Sequence, residues 1–260
     1  MNNKFEDLSQ FLAQKEKQGI CLAFSGGIDS MLLLYLCRNL NAQAVTFKSI
    51  FQTEEEIDEA VNFVQKYGVK HRVIEFNPFE NSSLRFNPEN RCYFCKKMMF
   101  SQLKEYAKKE GLNYIADGTN FDDLKVFRPG LRAVEELGIS SPFAQFEITK
   151  SEIRNMAKIS GIEDYLKPSN PCVATRFPYG EELSEDKIQK VKQGEKILKS
   201  FGFEENRLRF HKDIARIEIK PDKFQSFLEK REKIVKSLKS AGFKYITLDA
   251  EGLRRGSMDT

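Results

Sequence analysis

A glycine-rich segment, FSGGIDSM at 24–31, joins an apolar run to a helical run near the start of the chain. Gly26 and Gly27 allow the backbone to approach a ligand closely, and the N-terminus of the following helix directs N–H groups toward it. Ser25 and Ser30 add hydroxyl donors. The segment therefore predicts an anion site, although a random Gly-Gly pair is more often a plain turn. It lacks the Gly-Lys-Ser/Thr ending of a Walker A motif, so it provides no lysine for transferring a terminal phosphoryl group.

A second polar segment, DGTNFDD at 117–123, follows another apolar run and so ends another expected strand. In a parallel sheet the carboxyl ends of the strands lie at one edge, where ligands bind. We therefore predict that Gly118 and Asp123 line the same nucleotide pocket. Arg128, in FRPGLRA, is a further candidate for binding ATP phosphates, although its position at a helix start is an equally good explanation.

Three cysteines lie outside apolar runs. Cys92 and Cys95 form the CxxC of NRCYFCKK, a pair that is compatible with a metal site, a disulfide or packing. Cys172 has no apolar periodicity around it that would explain packing. Three thiolates suit either a zinc ion with one open position or an iron–sulfur cluster in which one iron lacks a protein ligand. Beside an ATP loop the cluster is favoured, because an open iron can hold a hydrosulfide, whereas a closed structural zinc can deliver nothing.

The composition is that of a folded globular protein, with 260 residues, 40% hydrophobic and 31% charged. The 42 basic and 38 acidic side chains give a net charge of +4 without a basic stripe, which argues against nucleic acid as a partner. No run approaches the roughly 18 apolar residues of a membrane span, and the polar N-terminus does not resemble a signal peptide. We therefore expect a cytoplasmic protein with reduced thiols, in which Cys21 and Cys37 are buried as small hydrophobes.

Short apolar runs alternate with amphipathic stretches through the first two-thirds of the chain. This alternation predicts an α/β fold, a parallel sheet with helices on both faces. Two capping boxes, Thr53 with Glu56 and Thr149 with Glu152, indicate where two of the helices begin.

The prolines of 166–180 break any regular element and indicate a junction. We therefore predict an ATP-binding domain at 1–168 and a small α+β domain at 169–260. The expected strands are GICLAF, AQAVTF, HRVIEF, LNYIAD, RLRF, IARIEIK and FKYITLD, and the expected helices cover about 29–39, 54–67, 95–110, 184–200 and 222–240.

Taken in order, these motifs resemble the LarE family of ATP-dependent sulfur transferases, within the PP-loop ATPase superfamily. The matching segments run nearly end to end: SGGIDS, NRCYFCKK, DGTNFDD, FRPGLRA, SPF, KPSNPCVATRFPYG, RLRFHKDIARIE and LDAEGLRRGSM. The resemblance implies an adenine nucleotide alpha-hydrolase-like domain that cleaves Mg-ATP between the α and β phosphates, with Asp29 helping to hold magnesium and pyrophosphate. It also implies adenylation of pyridinium-3,5-biscarboxylic acid mononucleotide and conversion to thiocarboxylates, in biosynthesis of the nickel-pincer nucleotide cofactor.

Part of the family consumes its own cysteine at the position of Cys172, whereas members with three cysteines are similar to cluster-dependent thiolases. Since Cys92, Cys95 and Cys172 are all present, the resemblance implies the [4Fe-4S] branch, with these thiols as metal ligands and catalytic residues. Glu218 is assigned to catalysis on the same basis. The sulfur would come from inorganic sulfide or a donor protein, and we expect a homo-oligomer.

The family's pocket for the anionic mononucleotide substrate carries over to Thr175, Arg176, Glu195, Arg207, Arg209, Glu218 and Arg254. A phosphate and two carboxylates suit arginines, whose planar guanidinium groups form paired hydrogen bonds with such anions. Arg207 and Arg209 alternate by two and would share one face of a strand, although a solvated strand face explains the two arginines equally well in isolation. Thr175 stands where the family often has serine.

Three other functions remain open on the sequence alone. One is a sacrificial transferase in which Cys172 is the sulfur donor, and another is a tRNA thiolase, which would bind tRNA in gel shifts. The third is a nucleotide-binding sensor in which the three thiols hold a structural zinc. Metal content separates the cluster enzyme from the zinc-containing sensor. The enzyme would contain about four irons per chain, and the sensor about one zinc.

Overall fold

The computed structural model describes residues 3–126, 128–166, 170–254 and 256–258. Contacts divide the chain into two units: Met1–Glu80 with Asn90–Asn170, and Asn81–Glu89 with Pro171–Thr260. The short segment Asn81–Glu89 is thus grouped with the C-terminal unit. The predicted domain boundary between residues 168 and 169 lies outside the described residues and stays a prediction.

The helices and strands follow one another in an order close to the expected one. They are α1 (Asn3–Lys15), β1 (Ile20–Ala23), α2 (Ile28–Cys37), β2 (Ala42–Lys48), α3 (Glu54–Lys66), β3 (Lys70–Glu75), α4 (Ser82–Arg85), α5 (Arg91–Lys109), β4 (Tyr114–Ala116), α6 (Pro129–Glu136), α7 (Pro142–Gln145), α8 (Lys150–Ile159), α9 (Glu185–Ser200), β5 (Asn206–His211), β6 (Ile214–Ile219), α10 (Phe224–Ser240) and β7 (Tyr245–Leu248).

The first unit contains a parallel sheet with the strand order β3-β2-β1-β4. In the centre of the sheet, Leu22 of β1 pairs with Ala44 of β2 on one side and with Ala116 of β4 on the other. Side chains of β1 alternate between two apolar cores: Ile20 and Leu22 pack with α1, α2 and α8, whereas Cys21 packs with α5 and α6. Helices therefore cover both faces, which confirms the predicted α/β fold.

Helix starts in this unit follow the predicted capping boxes. The Glu56 carboxylate accepts a hydrogen bond from the Thr53 backbone N–H at 2.8 Å, while Thr53 Oγ1 accepts from the Glu56 N–H at 3.2 Å. Thr149 and Glu152 form the same reciprocal pair at the start of α8. Such a cap stabilises a helix by about 1 kcal/mol, so the sequence fixes where α3 and α8 begin.

This unit also contains two buried thiols and a helix that begins earlier than predicted. Cys21 and Cys37 are fully buried, as expected, and burial raises the pKa of each thiol to about 12. The helix predicted over 95–110 is α5, which begins at Arg91. That earlier start brings the whole CxxC inside the first two turns of the helix.

The second unit contains a three-stranded sheet in the order β5-β6-β7, with β5 and β6 antiparallel and β6 and β7 parallel. One sheet face is apolar: Leu208 lies against Gly194 of α9, where a Cβ would approach the leucine to 2.4 Å, and Phe210 packs on Phe243. Arg207 and Arg209 alternate with these residues and lie on the opposite face. The small α+β unit is thus confirmed. The second face of its sheet, which carries Arg207 and Arg209, is polar.

Across the described part of the chain, no helix is both long enough and apolar enough to cross a membrane.

Candidate active site

The glycine-rich segment links the carboxyl end of β1 to the N-terminus of α2. Gly26 has φ +70°, in the left-handed region that favours glycine, and a Cβ there would lie 3.3 Å from the Cβ of Ala60. Ser30 Oγ donates to the Gly27 carbonyl at 2.9 Å and accepts from the Ser25 backbone N–H at 3.3 Å. These bonds fix the loop as a turn around the start of α2, whose first N–H groups favour an anion.

The second polar segment meets this loop at Gly118. A Cβ on Gly118 would lie 2.9 Å from the Ser30 backbone nitrogen and 3.2 Å from the Cβ of Asp29. Only glycine permits this approach without displacing a backbone. The structure therefore brings the two predicted nucleotide segments into direct contact at one edge of the sheet.

Asp117 organises the second segment from a buried position. Its carboxylate accepts hydrogen bonds from Thr119 Oγ1 and Ser141 Oγ, both at 2.7 Å, and pairs with Lys96 Nζ at 3.3 Å. Lys96 directly follows Cys95 in α5, so Asp117 also ties the segment to the helix that carries the CxxC. The sequence motif contains Asp117, but the partners Lys96 and Ser141 were not foreseen.

Asp29 has a partner that the sequence did not predict. Lys150, the first residue of α8, donates two hydrogen bonds to the Asp29 carboxylate, at 2.6 and 2.8 Å. The Lys150 backbone N–H donates to Asp122 at 2.9 Å, so this residue holds both nucleotide segments. Burial raises the pKa of Asp29, and the Lys150 ammonium opposes that shift. The one available sequence signal was the Thr149–Glu152 capping box, which places Lys150 at a helix start.

Asp123 and Arg128 lie together and pair with each other. Arg128 Nη2 is 2.8 Å from Asp123 Oδ1, and Asp123 also accepts from the Asn120 N–H in a capping box over the 3₁₀ turn Phe121–Lys125. Arg128 precedes α6 and is 40% exposed in its side chain, so it is accessible to a ligand as well as to Asp123.

Cys92 and Cys95 lie one helical turn apart near the start of α5. Cys92 is exposed and Cys95 is half-buried. Helix α6 packs against this turn at Gly130, where a Cβ would stand 3.4 Å from the Cys92 carbonyl oxygen. Tyr93, between the thiols, donates to Glu136 of α6 at 2.8 Å. The pair is therefore an accessible dithiol on a braced helix end.

Charged neighbours reinforce this bracing at the surface. Glu136 accepts from Lys97 Nζ at 2.9 Å and from Arg132 Nε at 2.7 Å, in addition to Tyr93. The hydrogen bonds from Lys97, Tyr93 and Arg132 lower the pKa of Glu136 to about 2. Glu136 thus joins α6 to the turn that carries the CxxC.

Cys172 belongs to the second unit, whereas Cys92 and Cys95 belong to the first. Among the residues that the structure describes, no group of three or more His, Cys, Asp or Glu side chains could hold a metal ion. The convergence of Cys92, Cys95 and Cys172 on one cluster therefore stays a prediction.

The backbone around Cys172 is held by its own sequence neighbours. The Thr175 hydroxyl and N–H both donate to the Cys172 carbonyl oxygen, at 2.8 and 3.0 Å. Arg176, with 1% of its surface exposed, donates to the Pro171 carbonyl oxygen at 2.9 Å and to the Glu195 carboxylate at 2.8 Å. Three of the predicted substrate residues, Thr175, Arg176 and Glu195, are thus engaged in shaping the turn that presents Cys172.

Arg209 and Glu218 form a buried ion pair on the polar face of the second sheet. Arg209 Nε and Nη2 reach the two Glu218 oxygens at 3.0 and 2.9 Å, and Arg209 Nη1 donates to the Thr175 carbonyl oxygen at 2.8 Å. Glu218 has no exposed surface and also accepts from Arg216 and Ser257. A carboxylate engaged in this way acts as a counter-ion that fixes arginine side chains.

Arg207 and Arg254 are the other two predicted substrate-binding arginines of this unit, and each has contacts of its own. Burial lowers the pKa of Arg207 to about 10, with the neighbouring Arg176 as the next cause. The carboxylates of Glu195 and Glu218 oppose this shift. Arg254 is 36% exposed in its side chain and pairs with Asp249 at 3.1 Å. Asp249 and Arg216, which also contact one another, were not predicted as site residues.

The chain is similar in sequence to several known proteins. The NAD synthase family matches residues 1–117, the part that contains the glycine-rich loop. The pyridinium-3,5-bisthiocarboxylic acid mononucleotide synthase of Lactiplantibacillus plantarum is 35% identical over 251 residues, covering 95% of this chain and 91% of that protein. An uncharacterized Synechocystis protein is 36% identical over 264 residues, covering 100% and 98%. An ammonia-dependent NAD⁺ synthetase of Wolinella succinogenes is 22% identical over 178 residues, 66% of this chain.

Proposed function

The chain belongs to the LarE family of PP-loop ATPases, and on that premise we propose that it is an ATP-dependent sulfur insertase acting on pyridinium-3,5-biscarboxylic acid mononucleotide. In the proposed reaction a substrate carboxylate oxygen attacks the α-phosphorus of ATP, and the bond to the β-phosphate oxygen breaks to release pyrophosphate. A sulfide then replaces AMP at the activated carbonyl carbon and leaves a thiocarboxylate. Two such rounds, one on each carboxylate, would give the product named for the Lactiplantibacillus relative.

The contact between Gly118 and Ser30 carries the adenylation half of the proposal. It joins two loops that offer N–H groups, hydroxyls and the Asp29 carboxylate to one point, a donor set suited to a nucleotide with a divalent cation. In this reading Ser25, Gly26, Gly27 and Ser30 bind phosphate oxygens, and Asp29 would hold Mg²⁺. Bound Mg²⁺ would neutralise charge on the departing pyrophosphate.

Lys150 strengthens this reading. The loop lacks a Walker-type lysine, but Lys150 places an ammonium group within 2.8 Å of both Asp29 oxygens. The role of this ammonium group in the proposed function is to compensate the charge of a partly buried carboxylate. It thereby offsets part of the effect of burial on the pKa of Asp29.

The polar face of the second unit supports the choice of substrate class. Arg207, Arg209 and Arg254 would bind a phosphate and carboxylates, while Glu195 and Glu218 hold neighbouring arginines in fixed orientations. An anionic mononucleotide is therefore the class of ligand that this face fits.

For the sulfur step we propose that Cys92, Cys95 and Cys172 hold a [4Fe-4S] cluster. The exposure of Cys92 and its one-turn spacing from Cys95 fit two ligands of such a cluster. When bound, the cluster would provide an iron without a protein ligand, where sulfide can be held. The protein would bind this group through thiolates alone, since neither Tyr93 nor Phe94 offers a competing soft ligand.

One observation favours a second candidate. Cys172 lies in the same unit as the arginine face, and Arg209 contacts the Thr175 carbonyl oxygen three residues after it. A transferase that gives up the sulfur of Cys172 needs only this unit and the activated substrate. Cys172 would then become dehydroalanine, and each chain would act once.

Anaerobic turnover with mass spectrometry tests these alternatives. The protein is incubated with Mg-ATP, sulfide and the biscarboxylic mononucleotide, and AMP, pyrophosphate and thiocarboxylate are quantified. We expect several products per chain, about four irons per chain and an unchanged protein mass. Loss of sulfur from Cys172 with one product per chain would establish the sacrificial route instead. Absence of substrate-dependent AMP would overturn the adenylation itself, and Asp29→Asn serves as the inactive reference.

A further inference from the structure

The segment after β7, residues 249–254 and 256–258, lies along strand β6 in the second unit. The Asp249 and Leu253 N–H groups donate to the carbonyl oxygens of Ile217 and Ile219, both at 2.9 Å. Gly252 has φ +75°, and a Cβ there would stand 2.9 Å from the Ile219 oxygen. A residue with a Cβ would not fit at position 252, so the segment packs closely against β6.

Arg216 anchors this segment at two points. Its Nη2 donates to the Ser257 carbonyl oxygen at 3.3 Å, and its Nε lies 3.6 Å from Asp249 Oδ2. The same Nη2 is 3.2 Å from Glu218, to which the Ser257 hydroxyl also donates. One arginine thus contacts both the beginning and the end of the segment as well as the strand beneath it.

The charged side chains of this region form a chain of alternating sign. In order of contact they are Arg209, Glu218, Arg216, Asp249, Arg254 and Glu251. Each interior carboxylate lies between two arginines, and each interior arginine lies between two carboxylates. Glu218 is fully buried and Arg254 is 36% exposed, so this series of ion pairs runs from the interior of the unit to its surface.

We propose that the C-terminal segment is a wall of the substrate site and that Arg216 and Ser257 are positioning residues that hold Arg254 in place for an anionic group of the substrate. The inference rests on the proposed function in assigning Arg254 to substrate binding. Arg216 and Ser257 touch no substrate in this arrangement. Their effect on binding is exerted through the placement of Arg254.

A calorimetric cycle tests this role with nicotinic acid mononucleotide, a probe that carries a carboxylate, a pyridinium ring and a phosphate. We expect Arg254→Met and Arg216→Met each to weaken binding by about tenfold, as for loss of one charge-assisted hydrogen bond. The double variant should bind no more weakly than either single variant, because both changes remove the same contact. Additive losses would overturn the positioning role.

Two substitutions of Ser257 form a matched pair of variants, and a substitution of Arg231 serves as the control. Ser257→Thr keeps the hydroxyl that donates to Glu218 and should bind the probe like the unmodified protein, whereas Ser257→Ala should weaken binding. Arg231, exposed on α10 and paired only loosely with Glu232 at 3.5 Å, offers Arg231→Met as an arginine removal outside the site. Equal affinities for the Ser257→Thr and Ser257→Ala variants would contradict the assignment.

Hydrogen exchange separates failure of this inference from failure of the proposed function. In Arg216→Met and Ser257→Ala we expect faster amide exchange at 249–254 and 256–258, with exchange in the first unit unchanged. Unchanged exchange in the segment would refute the anchoring whatever the substrate is. If exchange rises while even the unmodified protein binds no mononucleotide, the link to Arg254 and substrate is refuted together with the proposed substrate class.

Discussion

Lys150 donates two hydrogen bonds to Asp29, at 2.6 and 2.8 Å, across 121 residues of sequence. The pair joins the N-termini of α2 and α8, two helices that start at the same edge of the sheet. The glycine-rich segment therefore contains a partly buried aspartate, and a lysine at the start of α8 compensates the charge of its carboxylate. Burial raises the pKa of Asp29, and the Lys150 ammonium opposes that shift.

Lys150→Gln should lower ATP-dependent pyrophosphate release by about tenfold, because Asp29 loses a charge-assisted pair. Stopped assays of pyrophosphate with saturating ATP measure this loss. Lys66→Gln is the matched control, since Lys66 forms an exposed ion pair with Glu163 at 3.3 Å. Equal rates in Lys150→Gln and the control would show that the Asp29–Lys150 pair has no part in adenylation.

Gly118→Ala should weaken nucleotide binding, because its Cβ would lie 2.9 Å from the Ser30 backbone nitrogen and must push the two loops apart. Overpacking of this kind typically costs about 1–3 kcal/mol. Calorimetric titration with a non-cleavable ATP analogue reports the affinity, and urea unfolding reports the stability. An alanine variant that binds the analogue as tightly as the unmodified protein would mean that the loop contact is dispensable.

The cysteine variants distinguish the two sulfur routes. If a cluster carries the sulfide, Cys92→Ala, Cys95→Ala and Cys172→Ala should each abolish thiocarboxylate formation while pyrophosphate release continues, since adenylation uses the other loops. Product mass spectrometry and a pyrophosphate assay on the same samples measure both steps. Loss of product in Cys172→Ala alone would favour the sacrificial route.

The hydrogen bonds that Glu136 accepts at the CxxC turn should make the thermal stability of the protein depend on pH in the acid range. Its pKa is lowered to about 2 by Lys97, Tyr93 and Arg132, below the ordinary value of 4.5. A depressed carboxyl pKa adds stability that is complete above the unfolded value and is lost as the pH falls toward the folded value. Glu136→Gln should therefore lower the Tm at pH 7 and approach the unmodified protein between pH 4.5 and about 2. A Tm difference that stays constant over this range would rule out the ionic brace.

Local sequence predicted the elements of the fold well, and the reason is that their signals are local. The capping boxes at Thr53 and Thr149 place two helix starts through bonds that span three residues. Alternation in RLRF puts Arg207 and Arg209 on one face of β5. The predicted start of α5 at residue 95 is later than the observed start at Arg91, where Asn90 makes no side-chain capping hydrogen bond.

The sequence by itself determined the α/β class, the two polar segments at strand ends and the shared strand face of Arg207 and Arg209, because periodicity, glycine pairs and motif order are properties of neighbouring residues. Tertiary structure alone decided the partners: Lys150 on Asp29, Lys96 on Asp117, and Arg216 between Glu218 and Asp249. Long side chains choose their counter-ions by proximity after the backbone has folded. A contact of about 3 Å between residues far apart in sequence leaves no periodic trace in the chain.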